Sequence, residues 1–160
     1  MQVRDHIGDR GEDLFRSAIS KWCGGRPWFK GRPMGEKAEG LDFMVFLIEP
    51  TVFAACFFVQ VKATMKKKRY SGTGRNRRIL VEVKRSDVEK LKRMGMPAYV
   101  VGIDIVAEKA YIKAITPSVK RGIGGIPTRT PLNCKTIKKL WDEVEDFYQK
   151  RPRALTASFC

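Results

Sequence analysis

GLDFMVFLIEPTVFAACFFVQVK, residues 40–62, decides how this chain folds. Stretches 41–48 and 53–62 are apolar nearly throughout and short, so each reads as a buried strand. Pro50 ends the first, and the brief gap makes the two a hairpin. Three polar residues interrupt this apolar text: Asp42 at the start of the first strand, Gln60 and Lys62 at the end of the second. Side chains two apart on a strand share a face, so Gln60 and Lys62 point one way while Val59 and Val61 point the other. A buried lysine or aspartate without a partner costs several kcal/mol. The pattern therefore predicts that these side chains converge, on each other or on a ligand.

Upstream, Leu14, Phe15, Ala18, Ile19 and Trp22 recur at helical spacing, which predicts an amphipathic helix over 8–22, ended by Gly24-Gly25. Glu12 lies about one and two turns before Phe15 and Ile19, at the border of the apolar face, while Asp13 points to solvent. A turn-rich stretch follows, with one short strand expected around Trp28. Downstream, 66–78 reads as a polar loop or hairpin tip and 79–83 as a short alternating strand. Ser86 and Glu89 match a capping box opening a helix that runs to about Met94. Residues 98–106 and 109–115 read as neighbouring strands. A glycine- and proline-rich loop then leads to a helix over 135–149, whose stripe of Ile137, Leu140, Trp141, Val144 and Phe147 packs on the sheet. The alternation predicts an α/β fold with a mixed central sheet flanked by helices. With 160 residues and no internal repeat, one domain over 1–150 is expected, with 151–160 as a loose tail.

Thirty-two Lys and Arg against 17 Asp and Glu leave a formal charge of +15. Such a balance points to a polyanionic partner, nucleic acid before membrane. No apolar run is long enough to span a bilayer, and the N-terminal stretch lacks a signal core, so a cytoplasmic protein is expected. Cys23, Cys56, Cys134 and Cys160 form no CxxC pair and His6 is the one histidine, so a structural zinc site has no framework. The thiols are expected to be reduced, with Cys56 in the core.

Singly, each polar residue has an ordinary reading. Asp42 can be a turn residue after Gly40, Glu12 can favour the helix dipole, and Gln60 and Lys62 can simply lead into the basic run. Together they suit metal-assisted phosphodiester hydrolysis. A hard cation takes one or two protein carboxylates, here Glu12 and Asp42, and the Gln60 amide oxygen is a neutral third ligand. Lys62 is then placed to orient the attacking water or stabilise the phosphorane.

The order GDRGEDLF, GLDF, hairpin, FVQVK resembles the PD-(D/E)XK superfamily of restriction-endonuclease-like nucleases, in its QxK variant. Asp42 matches the motif aspartate, Gln60-Val61-Lys62 the tripeptide, and Glu12 the first-helix glutamate. GxRGExxF, GxDFxV, FxVQVKxT and PAYVVGID are more closely similar to the bacterial domain-of-unknown-function family 4365. The resemblance covers about residues 8–115. It implies an αβββαβ core, Mg²⁺ (with Mn²⁺ substituting) and a DNA substrate, RNA being left open. Leu41 stands where proline is common, and Gln60 where an acid is usual.

Substrate contact is expected from KKKRYSGTGRNRR, residues 66–78. Lys66, Lys67, Lys68, Arg69, Arg75, Arg77 and Arg78 suit phosphate contacts, and Tyr70 suits stacking on a base. Lys120, Arg121 and Arg129 extend that surface. The sequence thus reads as a metal-dependent DNA endonuclease of defence, restriction or repair, with a homodimer possible. The alternatives are a nucleic-acid-binding module that has lost the cut, or an interaction subunit of a defence or toxin complex.

Overall fold

The computed structural model describes residues 2–35, 38 and 40–151. In chain order come α1 (Val3–Ile19), β1 (Trp22–Cys23), β2 (Arg26–Pro27), β3 (Phe29–Pro33), β4 (Phe43–Leu47) and β5 (Cys56–Thr64). Then follow β6 (Tyr70–Ser71), a 3₁₀ turn (Gly74–Asn76), β7 (Arg78–Ile79), α2 (Arg85–Arg93), β8 (Ala98–Asp104), β9 (Lys109–Ala114), β10 (Ile126–Pro127) and α3 (Cys134–Gln149). The expected hairpin is β4–β5, with Phe43 opposite Val59. It forms the middle of a five-stranded sheet of order β3-β4-β5-β8-β9. All neighbours are antiparallel except β5 and β8, which run parallel and need the crossover through α2. The order α1, β3, β4, β5, α2, β8 is the αβββαβ arrangement, and the whole is a mixed α/β fold.

Alternation along the strands sorts the core into two layers. Phe43, Val45, Phe57, Val59, Val101 and Ile103 face Phe15 and Ile19 of α1 and Ile137, Leu140 and Val144 of α3. Phe58, Ala98 and Val100 face Val88 and Leu91 of α2, together with Ile79 and Ile126.

Several elements depart from expectation. Helix α1 spans Val3–Ile19 rather than 8–22. Trp22 lies in β1 with 67% of its surface exposed, because Gly24 and Gly25, both at positive φ, fold the chain back at once. The strand at 79–83 keeps its alternating burial but not its ladder. Only Arg78 and Ile79 pair regularly, inside a separate sheet of order β10-β7-β6, and Val83 makes a lone bridge to Ile123. Helix α2 is capped from Lys84 and has no side-chain cap bond, so Ser86 sits inside its first turn. Cys23 and Cys134 are not reduced thiols; they form a disulfide, with Cα atoms 5.3 Å apart, where β1 meets the start of α3. A separation of 111 residues hid that pairing from the sequence. Cys56 is free and half-buried. The tail expected at 151–160, with Cys160, lies outside the described residues beyond Arg151. No helix among the described residues is long and apolar enough to cross a membrane.

Candidate active site

The carboxylates come together through the packing of α1 on the hairpin. A Cβ on Gly11 would lie 2.5 Å from that of Ala63, so only glycine lets the helix sit this close to β5. One turn further on, the Phe15 ring stacks against Phe43 with centroids 4.9 Å apart. Those two contacts carry Glu12, which adjoins Gly11, towards Asp42, which adjoins Phe43. Burial and the negative charge of Asp42 push the Glu12 carboxyl above its ordinary range.

Asp42 sits where β4 gives out and β5 continues. Its backbone N–H donates to Val59 O at 3.0 Å, which extends the ladder by one step. At the next step its own carboxylate takes the place of a backbone carbonyl: the Val61 N–H donates to Asp42 Oδ2 at 2.5 Å. Burial raises the Asp42 carboxyl, and Asp87 adds to this. The Val61 N–H and the Lys62 ammonium oppose the rise without cancelling it. The charge of Lys62 is thus felt at Asp42.

Gln60 is 2% exposed. Its amide Nε2 donates to Asp87 Oδ2 of α2 at 3.4 Å, which orients the group, and its Oε1 is buried with no hydrogen-bond partner. Leaving such an oxygen unmade costs about 1–3 kcal/mol. The other orphan among the described residues, Glu145 Oε2, belongs to a carboxylate already held by Thr51 and Gln149. Gly40, at φ +78°, closes the corner; a Cβ there would lie 3.3 Å from Asp87 Oδ1 and 3.7 Å from Gln60 Nε2. Sequence reasoning missed Asp87 because it read the residue as part of a cap. Its position in the first turn of a helix that crosses over β5 was the available signal.

These atoms suit a hard cation. Two carboxylates held above their ordinary range and one unpartnered amide oxygen are all oxygen donors, the type a hard cation takes. Among the described residues no three His, Cys, Asp or Glu side chains are gathered for a metal. The expected set contains only two residues of those types, Glu12 and Asp42, with Gln60 as the third donor.

The basic stretch is more ordered than a loop. Lys66, Lys67, Lys68, Arg75 and Arg78 are exposed. Arg69 and Tyr70, expected at the substrate, are instead held by Asp104 at the end of β8. Arg69 Nε and Tyr70 Oη donate to Asp104 Oδ2, each at 2.7 Å. Arg77 lies with its guanidinium 4.2 Å from the Tyr70 ring centre, so one ring face is already covered. In the sequence Asp104 falls inside the strand expected over 98–106, whereas β8 stops at it; a lone acid in an apolar run was the signal that went unused.

The chain matches no family of proteins and no curated protein. Among solved structures it is similar to a nuclease from a fusselovirus, at 15% identity over 76% of this chain and 77% of that one. The TM-score is 0.43, a likeness too loose to carry an argument about either fold or activity. The motif resemblances therefore rest on their residues alone.

Proposed function

We propose that the chain is a divalent-metal-dependent nuclease acting on DNA. The observation that carries this reading is the buried, unpartnered Gln60 Oε1 on the strand whose Val61 N–H holds the Asp42 carboxylate, with Glu12 and Asp42 both shifted towards the protonated form. Carboxyl groups perturbed in this way mark functional sites. Glu12, Asp42 and Gln60 would hold Mg²⁺ or Mn²⁺, and the bound ion supplies Lewis-acid chemistry at a phosphodiester and a more acidic water. The Val61 N–H fixes the Asp42 carboxylate in the ladder, so that ligand needs no reorganisation. Lys62 orients the attacking water and offsets the negative charge growing on phosphorus. The Gln60–Asp87 bond aims Oε1 away from α2. Exposed Lys66, Lys67, Lys68, Arg75 and Arg78 contact the phosphate backbone without reading sequence. A role in defence, restriction or repair fits an enzyme of this kind.

Supercoiled plasmid incubated with purified protein tests the reading. Wild type should nick it with Mg²⁺ or Mn²⁺ and not with chelator, and Lys62→Ala should bind the plasmid but nick it about 10²–10³ times more slowly. Failure of wild type to cut with either metal, while still binding DNA, would replace the enzyme by the binding module.

A further inference from the structure

Residues 122–124 form a narrow ridge whose height is fixed by the backbone. Val83 N–H donates to Ile123 O at 2.8 Å, and Ile123 N–H returns to Val83 O at 2.9 Å. A Cβ on Gly122 would lie 2.7 Å from Val83 O, so no side chain fits there, whereas one on Gly124 would meet nothing within 4 Å. Two concavities share this ridge as their common wall. One is edged by Lys66, Lys84 and Arg85, with Glu82 as its single acid, the other by Arg78, Lys120 and Arg121. All six of these cationic side chains are exposed. Along the chain the first concavity is linked to the candidate active site: Lys66 lies just beyond the end of β5, and Arg85 lies two residues before Asp87, the partner of Gln60.

We infer that the 122–124 ridge enters the minor groove of duplex DNA, with each cationic flank taking the phosphates of one strand. The inference deepens the proposed function and rests on its nucleic-acid part. A side-chain-free backbone ridge is thin enough for a groove about 6 Å wide. Two positive troughs on either side of it match the two strands that border that groove. A single strand has only one backbone and would use one trough. The arrangement would deliver a duplex from the ridge along Lys84 and Arg85 to Lys62.

Fluorescence anisotropy in the absence of divalent metal tests this, using a short mixed-sequence duplex and its single strand across a salt series. Lys84→Ala/Arg85→Ala and Lys120→Ala/Arg121→Ala should each weaken duplex binding and flatten the slope of log K against log salt by ~1.8, at ~0.9 per phosphate. Lys138→Ala/Lys139→Ala on α3 removes the same charge from exposed positions on the opposite face of the sheet, and should change the slope far less. A Cβ at Gly124 enters open space, so Gly124→Leu should fold, which circular dichroism checks before binding is measured. It should weaken duplex binding by about tenfold, ~1.4 kcal/mol, and leave the single strand nearly unaffected. The inference is overturned if wild type does not bind the duplex, or if either basic pair behaves like the α3 control. It is equally overturned if Gly124→Leu affects duplex and single strand alike. A duplex bound with the expected signatures but never cut would remove the nuclease reading and leave this surface standing. Cutting without those signatures would do the reverse.

Discussion

Two aspartates at one edge of the molecule behave in opposite ways. Asp104, at the end of β8, is fully buried, and burial alone would raise its carboxyl. Four donors outweigh that: Arg69 and Tyr70 on one oxygen, and the backbone N–H groups of Val106 and Ala107, each at 3.0 Å, on the other. Its carboxyl is held below the ordinary range. Asp42, less buried, has one backbone donor and a nearby ammonium, faces Glu12 and Asp87, and is pushed upward. Burial pushes both carboxyls upward; the donors around Asp104 reverse that push, whereas the single N–H and the ammonium near Asp42 do not. Asp104 is a finished structural joint, and Asp42 is left short of positive charge in a way a cation would complete.

The contrast can be broken most directly at Asp104. Asp104→Ala strands Arg69 and Tyr70 and should cost about 3–5 kcal/mol of stability, the range for breaking a buried pair. Asp42→Asn keeps an oxygen for the Val61 N–H and should change stability little while abolishing cleavage. Urea unfolding of both variants checks this, and equal losses would erase the distinction. Next in size, Lys62→Ala should lower the cleavage rate by about 10²–10³, or ~2.7–4 kcal/mol at the transition state, with DNA affinity nearly kept. Single-turnover rates at saturating protein separate the two quantities.

Charge on the exposed part of the basic stretch acts on binding instead. Lys66→Ala/Lys67→Ala/Lys68→Ala should flatten the salt dependence of duplex binding by ~2.7 if each lysine neutralises one phosphate. The variant should still cut at low salt; a variant that binds normally but cannot cut would move these lysines into the active site.

The smallest effect is the most diagnostic of sign. The folded-state carboxyl of Glu12 is raised, so in the window above its ordinary value of ~4.3 the folded state holds more proton than the unfolded one. Stability is therefore lost as pH rises through that window. Glu12→Gln should be the more stable protein near neutrality, with the advantage fading towards pH ~4. For Asp104, with its carboxyl lowered, the sign reverses: its contribution is present above ~3.9 and is lost as pH falls through the folded value. Thermal melts from acid to neutral pH check both, and a Glu12→Gln advantage that grows on acidification would contradict the assignment.

Much of this was legible along the chain. The apolar hairpin, the face shared by Gln60 and Lys62, the stripe on α3 and the alternation of helices with strands follow from side-chain periods of two and 3.6, which are local; the αβββαβ order was what the motif resemblance implied. Glu12, Asp42, Gln60 and Lys62 stood out because polar residues on apolar elements need partners. Boundaries at Trp22 and Ser86 were misjudged because a glycine turn and the first turn of α2 are set by packing as well as by propensity.

Long-range pairings were decided only by the tertiary structure. Composition alone pointed to a polyanionic partner, and spacing alone brought Gln60 and Lys62 to one face. The joining of Cys23 to Cys134, the capture of Arg69 and Tyr70 by Asp104 and the Gln60–Asp87 bond each link residues 27 to 111 positions apart. The same folding clamps the 122–124 ridge to Val83 and sets two basic troughs around it. Periodicity says which way a side chain points, but which distant group it meets depends on how the sheet closes and where each crossover lands.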